Sequence, residues 1–216
     1  MFTGKINRMN TKTIYQAAGL SALLAGILFA TIQFIHPDET LEAVATTQWQ
    51  IAHVLSVIFP ALALLGVTGI YARQIKESGI TGFVGYLLLF GAFSLMLCFG
   101  FYEAFIAPVI AAESPALAVS IMSILENKPG PGLIGEVYLL NGMLYLLGGL
   151  VFAIATIRAK IFPLYAGGIL GLGVLVTLSA AAMPFLSRPS AVIFSFGLAL
   201  LGLSLIRRSS TKSSQI

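Results

Sequence analysis

Charge is what this sequence has least of. Asp, Glu, Lys and Arg make up 9% of its 216 residues, hydrophobic residues make up 58%, and the mean hydropathy is +0.97. A water-soluble domain carries about 25% charged residues, because its core must be covered by a hydrated surface. So small a complement excludes such a surface and leaves lipid as the natural solvent. Cysteine is nearly missing too. Cys98 stands alone inside an apolar run, so the chain forms no internal disulfide and holds no cysteine metal motif. Histidine occurs twice and no H-E-x-x-H segment is present, which removes the close-spaced zinc-hydrolase signature. Alternation is lacking as well. A membrane β-barrel needs apolar and polar residues to alternate over roughly ten positions, and the apolar runs here do not alternate. Helices are then the remaining way for a backbone to satisfy its own hydrogen bonds in lipid.

What is present is a series of long apolar runs, at 14–35, 49–72, 80–105, 133–157, 162–186 and 190–206. Each is close to the ~20 residues that cross a ~30 Å hydrocarbon core. The expected fold is all-α: one polytopic bundle over 1–216 with six transmembrane helices, followed by a short basic tail at 207–216. The first run follows Lys5, Arg8 and Lys12 as a signal peptide would. It exceeds the ~7–15 residues of a signal core, and no small-x-small cleavage site follows, so it reads as a retained helix.

Orientation follows from the basic residues. Lys5, Arg8, Lys12, Arg73, Lys76, Arg158, Lys160, Arg207, Arg208 and Lys212 fall on one side, against Lys128 and Arg188 on the other. That bias puts both termini on the cytoplasmic side of the membrane. The same residues sit in short loops rather than in one stripe, so the net charge of +4 gives no nucleic-acid surface.

Two outer connections are long, 36–48 and 106–132. In the second, Ser114 as N-cap and Pro115 at the first helical position predict a short helix from about Pro115 to Glu126. Leu117, Ile121, Ile124 and Leu125 would form its apolar face, and Pro129-Gly130-Pro131-Gly132 would end it. Such a helix lies on the membrane surface as a lid or a plain connector. Gly167 and Gly171 form a G-x-x-x-G pair, which suits close helix packing within the bundle or between two copies.

Several fragments carry a resemblance. His36-Pro37, Trp49-x-x-x-His53 and Gly69-Ile70-Tyr71-Ala72-Arg73-Gln74 belong to it, as do Phe101-Tyr102-Glu103-Ala104-Phe105-Ile106-Ala107-Pro108 and Ala155-Thr156-Ile157-Arg158-Ala159 with Pro163 and Ala166-Gly167. Together, from His36 to about Gly173, they resemble a family of small bacterial integral membrane proteins of unassigned function. The resemblance implies a six-helix membrane protein and brings no substrate or catalytic residue.

Ionisable groups inside a bilayer are costly and point to function by default. His36, His53, Glu103 and Glu136 all fall within roughly two turns of the outer boundary. Tyr102, Tyr138, Asn141, Gln33, Gln50 and Ser56 share that half of the membrane, while Trp49 has a plain explanation as an interfacial aromatic. The expected pocket joins His53, Glu103 and Glu136, with His36 at its rim and Tyr102 and Asn141 beside it. His53, Glu103 and Glu136 would suit a divalent metal such as zinc. Each group also has a bland alternative, such as hydrogen bonding to a neighbouring helix. A single haem held by both histidines is a further option. So are a small transporter or carrier, although the polar groups stop at the outer half, and an accessory or sensor subunit recognised through its outer loops. Beyond the lipid bilayer the residues name no partner, and they assign no reaction.

Overall fold

The computed structural model of the protein describes residues 10–126, 130–180 and 182–211. Lys5, Arg8, Lys128, Pro129 and Lys212, which entered the sequence argument, lie outside that range. Everything described is helix or short connection. In order come α1 (Thr11–Ile35), α2 (Leu41–Val44), α3 (Thr47–Phe101), a π turn (Tyr102–Ile106), α4 (Ala107–Glu113) and α5 (Pro115–Met122). A 3-10 turn (Ser123–Glu126), α6 (Ile134–Ala159), α7 (Leu164–Ala180), a second 3-10 turn (Pro184–Leu186) and α8 (Ser187–Thr211) complete the chain. Among the described residues, four helical stretches are long and apolar enough to cross a membrane: Thr11–Ile35, Thr47–Glu113, Ile134–Ala159 and Pro184–Ser209. Their length and apolar composition suggest a lipid bilayer as the setting.

The 55 residues of α3 would span about 80 Å if straight. They do not run straight, because Gly79 has φ 55° and ψ −151°, a conformation open only to glycine without strain. The limbs 47–78 and 80–101 fold back on each other there. Tyr71 stacks on Tyr86 with centroids 4.6 Å apart, Thr68 Oγ1 meets the Tyr86 hydroxyl at 3.2 Å, and Phe59 meets Phe93 at 5.7 Å. Near the far end Gly100 lies so close to the first limb that a Cβ would approach the Ser56 carbonyl oxygen to 2.6 Å.

Large aromatic rings fill the middle of the bundle. Phe29 stacks on Phe59 at 4.2 Å, and Phe194 from α8 meets Phe93 at 6.3 Å and Tyr145 at 5.1 Å. Phe59, Phe93 and Phe194 are buried. Gly167 and Gly171 turn toward α6, where Cβ atoms on them would meet Ile157 and Ala153. This pair therefore serves packing inside the chain.

Several expected boundaries move. The helix through Glu103 does not stop at 105 but continues through the π turn to Glu113, so the outer connection begins at Ser114. The expected run 162–186 is α7 to Ala180 and then a separate 3-10 turn. The loop helix forms over Pro115–Met122 and tightens into the 3-10 turn. Ser114 makes no side-chain cap bond, and the face turned inward carries Ala118 and Ile121, whereas Leu117 is 41% exposed. The side chain of Leu125 lies outside the described residues.

Candidate metal centre

Two prolines set the geometry of the site. Pro37 disfavours helical backbone in the residue before it, and His36 accordingly ends α1 with φ −65° and ψ 120°. The chain then turns through Glu39. Thr40 caps α2, its hydroxyl accepting from Ala43 N–H, and Thr46 caps α3, its hydroxyl accepting from Trp49 N–H. Trp49 thus sits in the first turn of α3 with His53 one turn on. Their rings stack with centroids 3.9 Å apart, and the His36 ring meets His53 edge-on at 4.8 Å.

Pro108 acts on the other wall. Inside the π turn Ala107 N–H donates to the Tyr102 carbonyl, five residues back. The Glu103 carbonyl would take its donor from residue 108 in that register, and the Ala104 carbonyl would do so in an ordinary α-helix. Proline has no N–H to give either one. Two side chains of α3 supply the missing donors: Trp49 Nε1 donates to Glu103 O at 2.9 Å and Gln50 Nε2 to Ala104 O at 3.0 Å. These bonds fix the backbone of Glu103 against the turn that carries His53.

His36, Glu39 and His53 come together so that one ligand atom from each lies within 4.8 Å of the others. His36 Nε2 is 3.6 Å from Glu39 Oε1, and His53 Nε2 is 3.6 Å from Glu103 Oε2. Both imidazoles place Nδ1 on a backbone carbonyl, His36 on Pro37 O and His53 on Trp49 O, each at 2.9 Å. A carbonyl only accepts, so each Nδ1 carries the proton and each neutral ring turns the lone pair of Nε2 into the site. That is the arrangement by which metal-binding histidines are usually oriented. His53 is fully buried, and its Nε2 has no hydrogen-bond partner among the described residues. The 3.6 Å to Glu103 exceeds hydrogen-bond length.

Burial shapes the charges at the rim. Desolvation lowers the pKa of His36 below its ordinary 6.5, outweighing the raising effect of its bond to Pro37, so the ring is neutral at pH 7. Desolvation pushes the Glu39 carboxyl up to about 7. Arg188, at the start of α8, ties down the same loop by donating to His36 O at 3.2 Å and pairing with Asp38 at 3.6 Å. Tyr138 of α6 donates to Glu103 Oε1 at 2.9 Å. Glu39, Trp49, Tyr102 and Glu103 line a cavity of about 30 Å³ that Ala118 and Ile121 of α5 cover.

Of the residues singled out from sequence, His36, His53 and Glu103 meet here with Tyr102 beside them, and Asn141 lies one turn along α6 from Tyr138. Glu136 does not join them. It is exposed in the first turn of α6. It stands two residues from Tyr138, or about 200° around the helix, so it faces away from Glu103. Glu39 takes the place expected for Glu136. The signal for Glu39 was the His36-x-x-Glu39 spacing across Pro37, just outside the apolar run. Trp49 reads from the sequence as an interfacial aromatic, and in the structure it also stacks on His53 and donates to Glu103 O.

The chain is thus an all-helical bundle with four candidate membrane-spanning helices and a His36, Glu39 and His53 group that can hold a metal. No family model matches it, and no curated protein or solved structure does so either. The resemblance of its fragments to a bacterial family is therefore not supported by any match, and the site must be judged on its own chemistry.

Proposed function

We propose that this is a six-span membrane protein, with both termini cytoplasmic, that binds one divalent transition-metal ion such as zinc in the outer half of its bundle. His36 and His53 supply Nε2, Glu39 supplies a carboxylate oxygen, and Glu103 completes the set from the π turn that follows α3. The observation that carries this reading is the pair of inward-facing Nε2 lone pairs, each ring locked by its own backbone carbonyl. Tetrahedral zinc with ligands at ~2.0–2.2 Å needs donor atoms about 3.4 Å apart, so the group within 4.8 Å closes around an ion by small side-chain movements. The orphaned His53 Nε2 fits the same reading, since a buried polar atom without a partner costs about 1–3 kcal/mol. A bound ion supplies Lewis acidity at this position. Binding is favoured over conduction because the aromatic rings fill the bundle beneath the site. The two histidines belong to one compact His/Glu group, which suits an ion better than a bis-histidine haem that would have to lie between them.

Trp49 is the only tryptophan, and its ring stacks on His53. Cobalt(II) should therefore quench its fluorescence saturably at one equivalent, and zinc should reverse the quenching by competition. His53→Ala should abolish the effect, and His36→Ala should weaken it strongly. Quenching that is equal in the wild type and in both variants would exclude this site.

A further inference from the structure

We propose that a second, adjoining cavity in the bundle binds a small apolar molecule carrying one hydroxyl group and reached from the lipid side. The cavity measures about 210 Å³ and shares Glu103 and Tyr138 with the smaller cavity beside the metal group. Its apolar walls include Phe29, Phe59, Met96 and Phe99, and its polar end is formed by Ser56, Glu103, Tyr138 and Asn141. An apolar protein cavity of about 150 Å³ holds benzene, so this one has room for a single substituted ring.

The polar end selects the ligand's functional group. Tyr138 has spent its proton on Glu103, and Ser56 has spent its own on Ala52 O, so both turn only lone pairs inward. Asn141 Oδ1 is buried without a partner. No hydrogen bond within the described chain uses the Asn141 amide, which therefore offers an acceptor and a donor together. A hydroxyl both gives and takes a hydrogen bond and matches this set. A hydrocarbon leaves Oδ1 unsatisfied, and a ketone cannot donate to it.

The access route follows from a second observation. Phe99 and Tyr138 stack at 4.0 Å as a thin wall. On its other side a mostly apolar groove of about 370 Å³ runs past Cys98, Leu133 and Val137, with Leu133 73% exposed. In a bilayer that groove faces acyl chains, and turning the two stacked rings joins it to the cavity. The inference does not depend on the metal reading, because neither Asn141 nor the apolar walls belong to the ion's ligand set.

Fluorine NMR on the full chain in detergent tests it, with 4-fluorophenol and 4-fluorotoluene as probes of nearly equal shape. The phenol should bind saturably, and the toluene at least tenfold more weakly. Asn141→Leu should weaken phenol binding at least tenfold and leave the toluene unchanged. Met96→Trp, which fills the cavity, should abolish binding of both, and it serves as the test if Asn141→Leu fails to fold. Uptake no different from protein-free micelles would overturn the proposal. So would equal affinity for the two probes, or a phenol signal that survives Met96→Trp. Cobalt quenching of Trp49 in the wild type and in Asn141→Leu, where it is the only tryptophan, reads the metal group separately, so failure of one reading is distinguishable from failure of the other.

Discussion

The chemistry of the site rests on three side chains held by their neighbours. His36 and His53 are set by carbonyls, and Glu39 is set by the tight turn between Pro37 and the Thr40 cap. Glu39 gives the site a pH dependence. Its carboxyl is pushed up to about 7, so below that pH an ion must displace a proton to bind. Affinity for cobalt or zinc should be at least about tenfold weaker at pH 6 than at pH 8, with Glu39→Gln reducing the slope. Burial lowers the pKa of His36 below its ordinary value, so its own proton competes with the ion toward the acid end of the titration. Metal titrations at fixed ionic strength would show the slope or its absence. The sign for the metal-free protein is opposite. A raised carboxyl pKa favours the folded state with full effect below 4.5, and that contribution is lost as the pH rises through about 7. In the sequence His53 and Glu103 stand out as ionisable groups within apolar runs, and His36 as the histidine that closes the first run. Glu39 escapes that criterion because it lies four residues beyond the first run. Glu136 meets it, yet its position around α6 turns it outward, and depth along a helix says nothing about rotation.

At the scale of elements, the π turn is the device that aligns the two limbs of α3. Widened turns of this kind are frequent at functional sites. Pro108 lies near the point where the sequence placed the end of a span, and it was legible only as a boundary. In the structure it leaves two carbonyls without helical donors, and Trp49 and Gln50 supply them. Pro108→Ala restores the N–H, lets an ordinary α-turn close, and rotates Glu103 by up to about 100°. Cobalt affinity should then fall by about tenfold or more, as it does when a supporting partner of a ligand is lost, although residue 108 touches no ion. Unchanged affinity would show that Glu103 plays no part in binding. The apolar runs were plain because lipid demands an unbroken stretch of apolar residues. The ends were not, since proline can widen a helix rather than stop it, and the Ser114 hydroxyl does not make the cap bond its position allows. The loop helix expected from about Pro115 to Glu126 forms as α5 and the 3-10 turn, with Ile121 of its apolar face buried and Leu117 at the surface.

For the whole molecule, the basic residues and the fold-back at Gly79 support six crossings with the metal group toward the outer face. A reporter active only in the cytoplasm should work when fused after Ile216 or inserted after Lys76, and should fail within 113–130. Activity in that long connection would invert the proposed arrangement and place His36, Glu39 and His53 on the cytoplasmic side. The aromatic rings at the centre then separate the polar outer half from an inner half whose polar contacts include the buried pair in which Gln74 donates to Thr156 Oγ1 at 2.9 Å and the Thr68–Tyr86 hydroxyl contact. The central claim is that one ion is held by both histidines and by carboxylate. Zinc K-edge X-ray absorption on protein loaded with one equivalent tests it most directly. The account predicts two imidazole nitrogens at ~2.0–2.1 Å and one or two carboxylate oxygens at ~2.0–2.2 Å, with one imidazole lost in His53→Ala. A spectrum showing oxygen ligands without imidazole scattering, or one unchanged by that substitution, would contradict it.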